Sequence, residues 1–388
     1  MDEVRVGIIG IGGMGGSHAK QFAEGKIPGA VLTAVCDVKA ERREWAAENL
    51  GDKVQVFETA EALFAAKLSD AIVVATPHYD HPPLAIKGFE NGLHVLIEKP
   101  AGVYTKQVRE MNEAATKSGL VFSIMLNQRQ RPLHQKFKEL IDSGELGNIM
   151  RTNWIISNWF RSQAYFNSGG WRASWRGEGG GVLLNQCPHN LDLWQWICGM
   201  PKRVRSFCAF GKYHDIEVED DVTAFVEYEN GATGLFVTST GEAPGTNRLE
   251  VVGDRGKIIM EADKLTFWRT RTGVAQFSKE TEASFEMPEC WTCEIPIKGN
   301  GEEHIGVLKN WTNAILKGEK LQSPGIEGIH SLELSNAMLL SAWTDEWVSL
   351  PVDEDLYFEK LQERIKTSRY VKKEPTSSQT VDVGGSFN

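Results

Sequence analysis

The stretch Val4 to Ala23, VRVGIIGIGGMGGSHAKQFA, constrains the fold more than any other. It reads as a buried strand, a glycine-rich turn and a helix. Gly10, Gly12 and Gly15 fit G-x-G-x-x-G, with Gly13 and Met14 inside the motif. The first glycine permits the tight turn. The second lets backbone approach a pyrophosphate, and the third lets helix and strand pack closely. Free N–H groups at the helix start then face the phosphates. A second apolar run, AVLTAVCD, ends in Asp37. It lies about 20 residues after the last motif glycine, where a carboxylate meets the ribose hydroxyls of a dinucleotide. That carboxylate repels the extra phosphate of NADP, so NAD is the expected cofactor. Lys39, Arg42 and Arg43 follow closely and soften the preference.

The alternation continues. AIVVATP is an apolar strand, LAIKGFENG a helix, LHVLIEKP a strand and VFSIMLN another. Strands alternating with helices predict an α/β doubly wound parallel sheet over residues 1–125. With 388 residues the chain has room for a second domain. After NQRQRP strand follows strand. Hairpin signals stand at ENG and GDRG, and helical patterns return from Glu302 to about Trp347. This predicts an α/β domain with a large, mostly antiparallel open sheet over 126–350. Residues 351–388 form an extension whose Gly/Ser-rich end is expected to be mobile. No internal repeats are seen.

A net charge of -10 with no basic run excludes nucleic acid and anionic membrane surfaces as expected partners. No apolar stretch approaches the roughly 18 residues of a membrane span. The start of the chain has no basic, then apolar, leader pattern, so the expected location is cytoplasmic. The six cysteines agree. Cys290 and Cys293 form a lone CxxC, too few ligands for zinc, and are expected as free thiols in a strand; no metal is expected.

Two residues carry candidate chemistry. Lys99 follows a parallel strand, and ligands bind at the carboxyl ends of such strands. His189 lies in GGGVLLNQCPHNLDLW, where a helix is expected to start near Val182. At that spacing Asn185, His189 and Asp192 share one helix face.

The chain resembles the glucose-fructose oxidoreductase / inositol dehydrogenase / rhizopine-catabolism family (Gfo/Idh/MocA). The matching residues are GIIGIGGMG, VVATPHYDH, EKP at 98–100, NQR at 127–129, and GGG followed ten residues on by His189. The resemblance runs from residue 4 to about 345. It implies a Rossmann domain, an open-sheet second domain that often makes oligomers, and oxidation or reduction of CH–OH carbons with NAD(P). It makes Lys99 and His189 the catalytic pair. It places Thr76, Pro77, His78 and His81 along the cleft, with Glu98 and Asn127 beside the cofactor and Arg129 at the substrate. A homodimer or homotetramer is expected.

Hydride removal from a carbinol needs its hydroxyl proton taken at the same time, which a positioned His or Lys can do. Many family members carry aspartate where this chain has Asn185. Three explanations stay open. Asn185 alone orients His189, or Asp192 supplies the charge, or Lys99 is the principal base and His189 binds the hydroxyl. The favoured assignment has His189 as base and Lys99 polarising the same hydroxyl.

Residues 154–175 hold four tryptophans, two of them expected in the core. Flat aromatics stack on sugar rings and arginines fork onto hydroxyls, so Trp171, Arg172 and Trp175 are placed at the substrate. The expected reaction is oxidation at C3 of a sugar or glycoside. The alternatives are a redox glycosidase that passes through a transient 3-keto sugar, and a non-catalytic nucleotide sensor.

Overall fold

The computed structural model describes residues 2–371, so the end expected to be mobile lies outside the described residues. The first sheet contains β1 (Val4–Ile9), β2 (Ala30–Cys36), β3 (Gln55–Phe57), β4 (Ala71–Val74), β5 (His94–Ile97) and β6 (Phe122–Ile124). Their order is β3-β2-β1-β4-β5-β6, all parallel, the doubly wound arrangement the sequence predicts. Helices cover both faces of its centre. Hence every residue of AIVV is buried, and all of VRVGII except Arg5. Strand order reverses between β1 and β4, and the crevice at the carboxyl ends there is the ligand-binding edge of such sheets. The glycine turn, Thr76–Pro77 and Glu98–Lys99 all follow strands at that edge.

The second sheet is built from β7 (Ile149–Ile156), β8 (Arg203–Phe210), β9 (Glu219–Glu227), β10 (Thr233–Ser239), β11 (Asn247–Gly253), β12 (Gly256–Glu261), β13 (Lys264–Thr270), β14 (Cys290–Ile295) and β15 (Val348–Ser349). Its order is β14-β13-β12-β11-β7-β10-β9-β8-β15. Only β7 and β10 run parallel to each other. The hairpins at ENG and GDRG join β9 to β10 and β11 to β12. Another joins β12 to β13 through Ala262 and Asp263, at φ 48° and 56°, the handedness a two-residue hairpin needs. Cys290 and Cys293 are free thiols on β14. Helices Pro188–Cys198 and Gly328–Thr344 pack together against one face of the sheet, over a core that includes Trp154, Trp194 and Phe236.

The chain passes from the first sheet to the second and then returns. Helix Glu303–Lys317 sends Val307, Leu308 and Trp311 into the core made by Val6, Ile8, Ile11 and Leu32. Pro324 then pairs with Ser123 beside β6. Stretch 303–317 of the unit expected over 126–350 thus packs on the first sheet. Periodicity marks that helix but not which sheet it covers. Helix Glu354–Thr367 starts at Asp353, whose Oδ1 accepts from Leu356 N at 3.0 Å, and docks through buried Tyr357 and Leu361. No helix among the described residues is long and apolar enough to cross a membrane.

Candidate active site

The glycine turn meets three separate demands. Gly10 has φ +85°, and a Cβ on it would lie 2.8 Å from the Ala75 carbonyl oxygen. A Cβ on Gly15 would lie 1.9 Å from the Gly10 carbonyl oxygen. Both positions are dictated by the packing of strand against helix. Gly12 is different: a Cβ there would meet nothing within 4 Å. No neighbour excludes a side chain there, and the bare backbone faces open space that would admit a pyrophosphate. Asp37 is pinned at the end of β2, its Oδ2 accepting from Ile11 N (2.9 Å) and its Oδ1 from Lys39 N (3.0 Å). A carboxylate so held keeps lone pairs for hydroxyls. The neighbouring arginines serve the backbone. Arg42 Nε donates to Ile11 O at 2.7 Å, and Arg43 Nη1 to Asp37 O at 2.9 Å. Thr76 Oγ1 and Asn127 Oδ1 are buried polar atoms with no partner among the described residues. The residues present fit a dinucleotide.

Lys99 is half-buried at the end of β5, and its Nζ donates to the Asn185 carbonyl at 3.0 Å. Burial pushes its pKa down, and the charges of Arg172 and Arg161 add to this against Glu98. Glu98 is itself buried. Its Oε1 lies 2.7 Å from His18 Nε2, and its Oε2 accepts from Lys99 N at 3.1 Å. Burial raises its pKa, but the His18 bond and the charges of His18, His304 and Lys99 outweigh burial and hold it at about 2.

His189 is 2 % exposed, and neither ring nitrogen has a hydrogen-bond partner among the described residues. Burial, then the charge of Lys99, push its pKa well below the ordinary value of 6.5. The ring is neutral, with one nitrogen free to accept a proton. Its setting corrects the expected shared helix face. Helix Val182–Asn185 ends, and a new helix begins at Pro188. The side chain of Asn185 donates to Glu178 instead. Asp192 is held bidentately by Arg129, at 2.8 Å from Nε and 2.6 Å from Nη2. Neither flanking residue hydrogen-bonds His189, so neither orients its ring directly.

Other expected residues divide. His78 Nδ1 donates to Glu178 O at 3.2 Å, and its ring meets the Trp171 edge at 4.9 Å. The Arg172 guanidinium lies between the Trp171 and Tyr165 rings, 4.4 Å from each centroid. These side chains form one cluster, with Arg172 against the two aromatic rings and His78 edge-to-face with Trp171. Three expectations are corrected. His81 places its nitrogens 2.7 Å and 2.8 Å from the Pro100 and Thr76 carbonyls, so it staples two loops together and does not face the cofactor. Arg129 is 2 % exposed and committed to Asp192 and Glu327, not to substrate. Trp175 is 5 % exposed and packs on Trp343 and Phe210. With Trp154 it makes up the two core tryptophans.

Four residues went unmarked by sequence. Glu219 caps the glycine run, its carboxylate accepting from Gly181 N at 2.8 Å and Leu183 N at 3.0 Å. His304 approaches His18, ring centroids 6.0 Å apart. Glu178 and His18 complete the set. Glu178 stands directly before the three glycines, and His18 in the first helix, so both were within reach of motif reading. Glu219 and His304 lie too far along the chain to carry any local signal.

Residues 4–126 match the family model described as oxidoreductase family, NAD-binding Rossmann fold. Residues 134–259 match the GFO/IDH/MocA C-terminal domain, and together the two span more than half the chain. The chain is 26% identical to inositol 2-dehydrogenase of Rubrobacter xylanophilus, over 88% of this chain and 91% of that one. It is 29% identical to D-glucoside 3-dehydrogenase of Escherichia coli, over 61% of this chain and 70% of that one. Among solved structures, the WlbA dehydrogenase of Chromobacterium violaceum in complex with NADH and UDP-GlcNAcA superposes with a TM-score of 0.77. It is 26% identical, covering 91% of this chain and 97% of that one. With its doubly wound sheet, its glycine turn and the lysine and histidine at the carboxyl edge, the chain belongs to the NAD-binding Gfo/Idh/MocA oxidoreductases.

Proposed function

We propose that the chain oxidises the C3 hydroxyl of a sugar or glycoside, with NAD favoured over NADP. The observation that carries this is Lys99 beside a buried, neutral His189 whose ring nitrogens have no partner among the described residues. When bound, the nicotinamide ring supplies the hydride acceptor. His189 takes the hydroxyl proton as hydride leaves, and Lys99 polarises the same oxygen. The Asn185 carbonyl aims the Lys99 ammonium. Trp171 and Arg172 pack against the sugar face. Gly12, Gly13, Met14, Asp37, Thr76, Pro77 and Asn127 line the dinucleotide. Asp37, with Arg42 and Arg43 held by backbone, favours the hydroxyls of NAD. The E. coli relative named D-glucoside 3-dehydrogenase supports the choice of C3. The open sheet face, with Ile155, Phe207 and Phe225 at 37%, 63% and 39% exposed, supports a homo-oligomer. A cytoplasmic location goes with the free thiols.

The test is a single-turnover mixture of protein and NAD with glucose, methyl glucoside and an aryl glucoside in turn, with product analysis. The expected result is reduced nicotinamide and an intact glycoside carrying one new carbonyl. Free aglycone without lasting reduced nicotinamide would replace this reaction with the redox glycosidase.

A further inference from the structure

Glu178 is 1 % exposed and Asn185 9 %. The Asn185 amide Nδ2 donates to Glu178 Oε1. Ala173 N donates to Glu178 Oε2 at 2.6 Å, from a backbone at φ 71°. The Glu178 main-chain oxygen accepts from His78 Nδ1 at 3.2 Å, and Arg172 Nη1 lies 3.8 Å from Oε1. Asn185 in turn presents its carbonyl to Lys99 Nζ at 3.0 Å. The buried Glu178 thus ties together the aromatic loop and the Asn185 segment through its carboxylate, and the turn after β4 through its backbone carbonyl.

We propose that Glu178 is a positioning residue, acting on Lys99 through Asn185, and that position 185 is an amide because it faces this carboxylate. An ionised carboxylate can only accept. Aspartate at 185 would set two acceptors against each other where water is excluded, and one would be forced to hold a proton. The amide donates instead, and Glu178 keeps its charge toward Arg172. The charged and titratable groups around it are Arg172 and Tyr165 on the aromatic loop, His78 after β4, Glu219 on β9, Tyr370 near the C-terminus and Lys99 across Asn185.

The test moves the carboxylate across the same bond. In the double variant Glu178→Gln/Asn185→Asp the introduced amide can donate to the introduced carboxylate while its oxygen still accepts from Ala173 N. Two readouts are taken against pH for both single variants and the double. The thermal midpoint needs no substrate. The kcat for glycoside-dependent NAD reduction rests on the proposed reaction. Asn185→Asp should lose about tenfold in kcat near pH ~8, with NADH affinity held within about threefold, and should recover as acid supplies the shared proton. The double variant should return within about threefold of the parent with a flat pH profile. A double variant no better than the worse single one overturns the inference, as does Asn185→Asp behaving like the parent at about pH 8. If the parent reduces no NAD with any sugar, the proposed reaction fails by itself. The same comparison of thermal midpoints then decides the inference.

Discussion

At the residue scale, the proposed chemistry rests on two side chains, Lys99 and His189, whose pKa values burial pushes down. His189 stays neutral far into the acid range, and the nearby Lys99 charge reinforces this. Replacing either Lys99 or His189 by Ala should lower kcat about 10²–10⁴-fold, the usual worth of a positioned proton acceptor or donor. NADH affinity, measured by fluorescence titration, should stay within about threefold, because neither side chain builds the glycine turn. Equal loss of NADH binding would move these residues into the cofactor cradle. Lys99 was legible in sequence because it ends a parallel strand at the ligand edge. The partners of His189 were not. Helical spacing joined Asn185 and Asp192 to it, but the helix breaks before Pro188, and Arg129 claims Asp192 from 63 residues away. Periodicity holds only while a helix is continuous, and a salt bridge at that separation leaves no local mark.

At the scale of elements, the glycine turn separates folding from binding within a few residues. Gly15→Ala forces a Cβ against the Gly10 carbonyl oxygen, so it should destabilise the chain by about 1–3 kcal/mol or more, read by denaturant unfolding. Gly12→Ala meets open space, so it should unfold within about 1 kcal/mol of the parent while NADH affinity falls at least about tenfold. If Gly12→Ala bound NADH normally, the pyrophosphate would approach elsewhere. The strands and hairpins of both sheets were readable because their apolar runs and turn residues are local. The return of helix Glu303–Lys317 to the first sheet was not, because an amphipathic stripe says that a helix is covered without saying by what.

At the scale of the whole molecule, two buried carboxylates give stability opposite slopes against pH. Glu98 is held at about 2, below its ordinary 4.5. Its charged form is favoured by folding, so its contribution is full above about pH 4.5 and lost as pH falls toward 2. Glu219 is pushed up to about 7 by burial, despite its hydrogen bonds to Gly181 and Leu183. Its proton is bound more tightly in the folded chain, so stability declines as pH rises from about 4.5 to 7 and then levels. Glu219→Gln should flatten that decline in urea unfolding, and Glu98→Gln should flatten the acid limb. An unchanged slope in either variant would place the pH dependence on other groups. Glu98 stands beside Lys99 and Glu219 holds the glycine run before Asn185, so each protonation event also touches a segment of the candidate site.

The most direct measurement of the proposed reaction follows one atom. Methyl glucoside carrying deuterium at C3 is mixed with the enzyme and NAD, and the reduced nicotinamide is analysed by mass. The proposed hydride transfer from C3 predicts deuterium in the reduced nicotinamide and a primary isotope effect on its appearance. Reduced nicotinamide that forms without the label would contradict oxidation at C3, and none formed at all would contradict the sugar dehydrogenase.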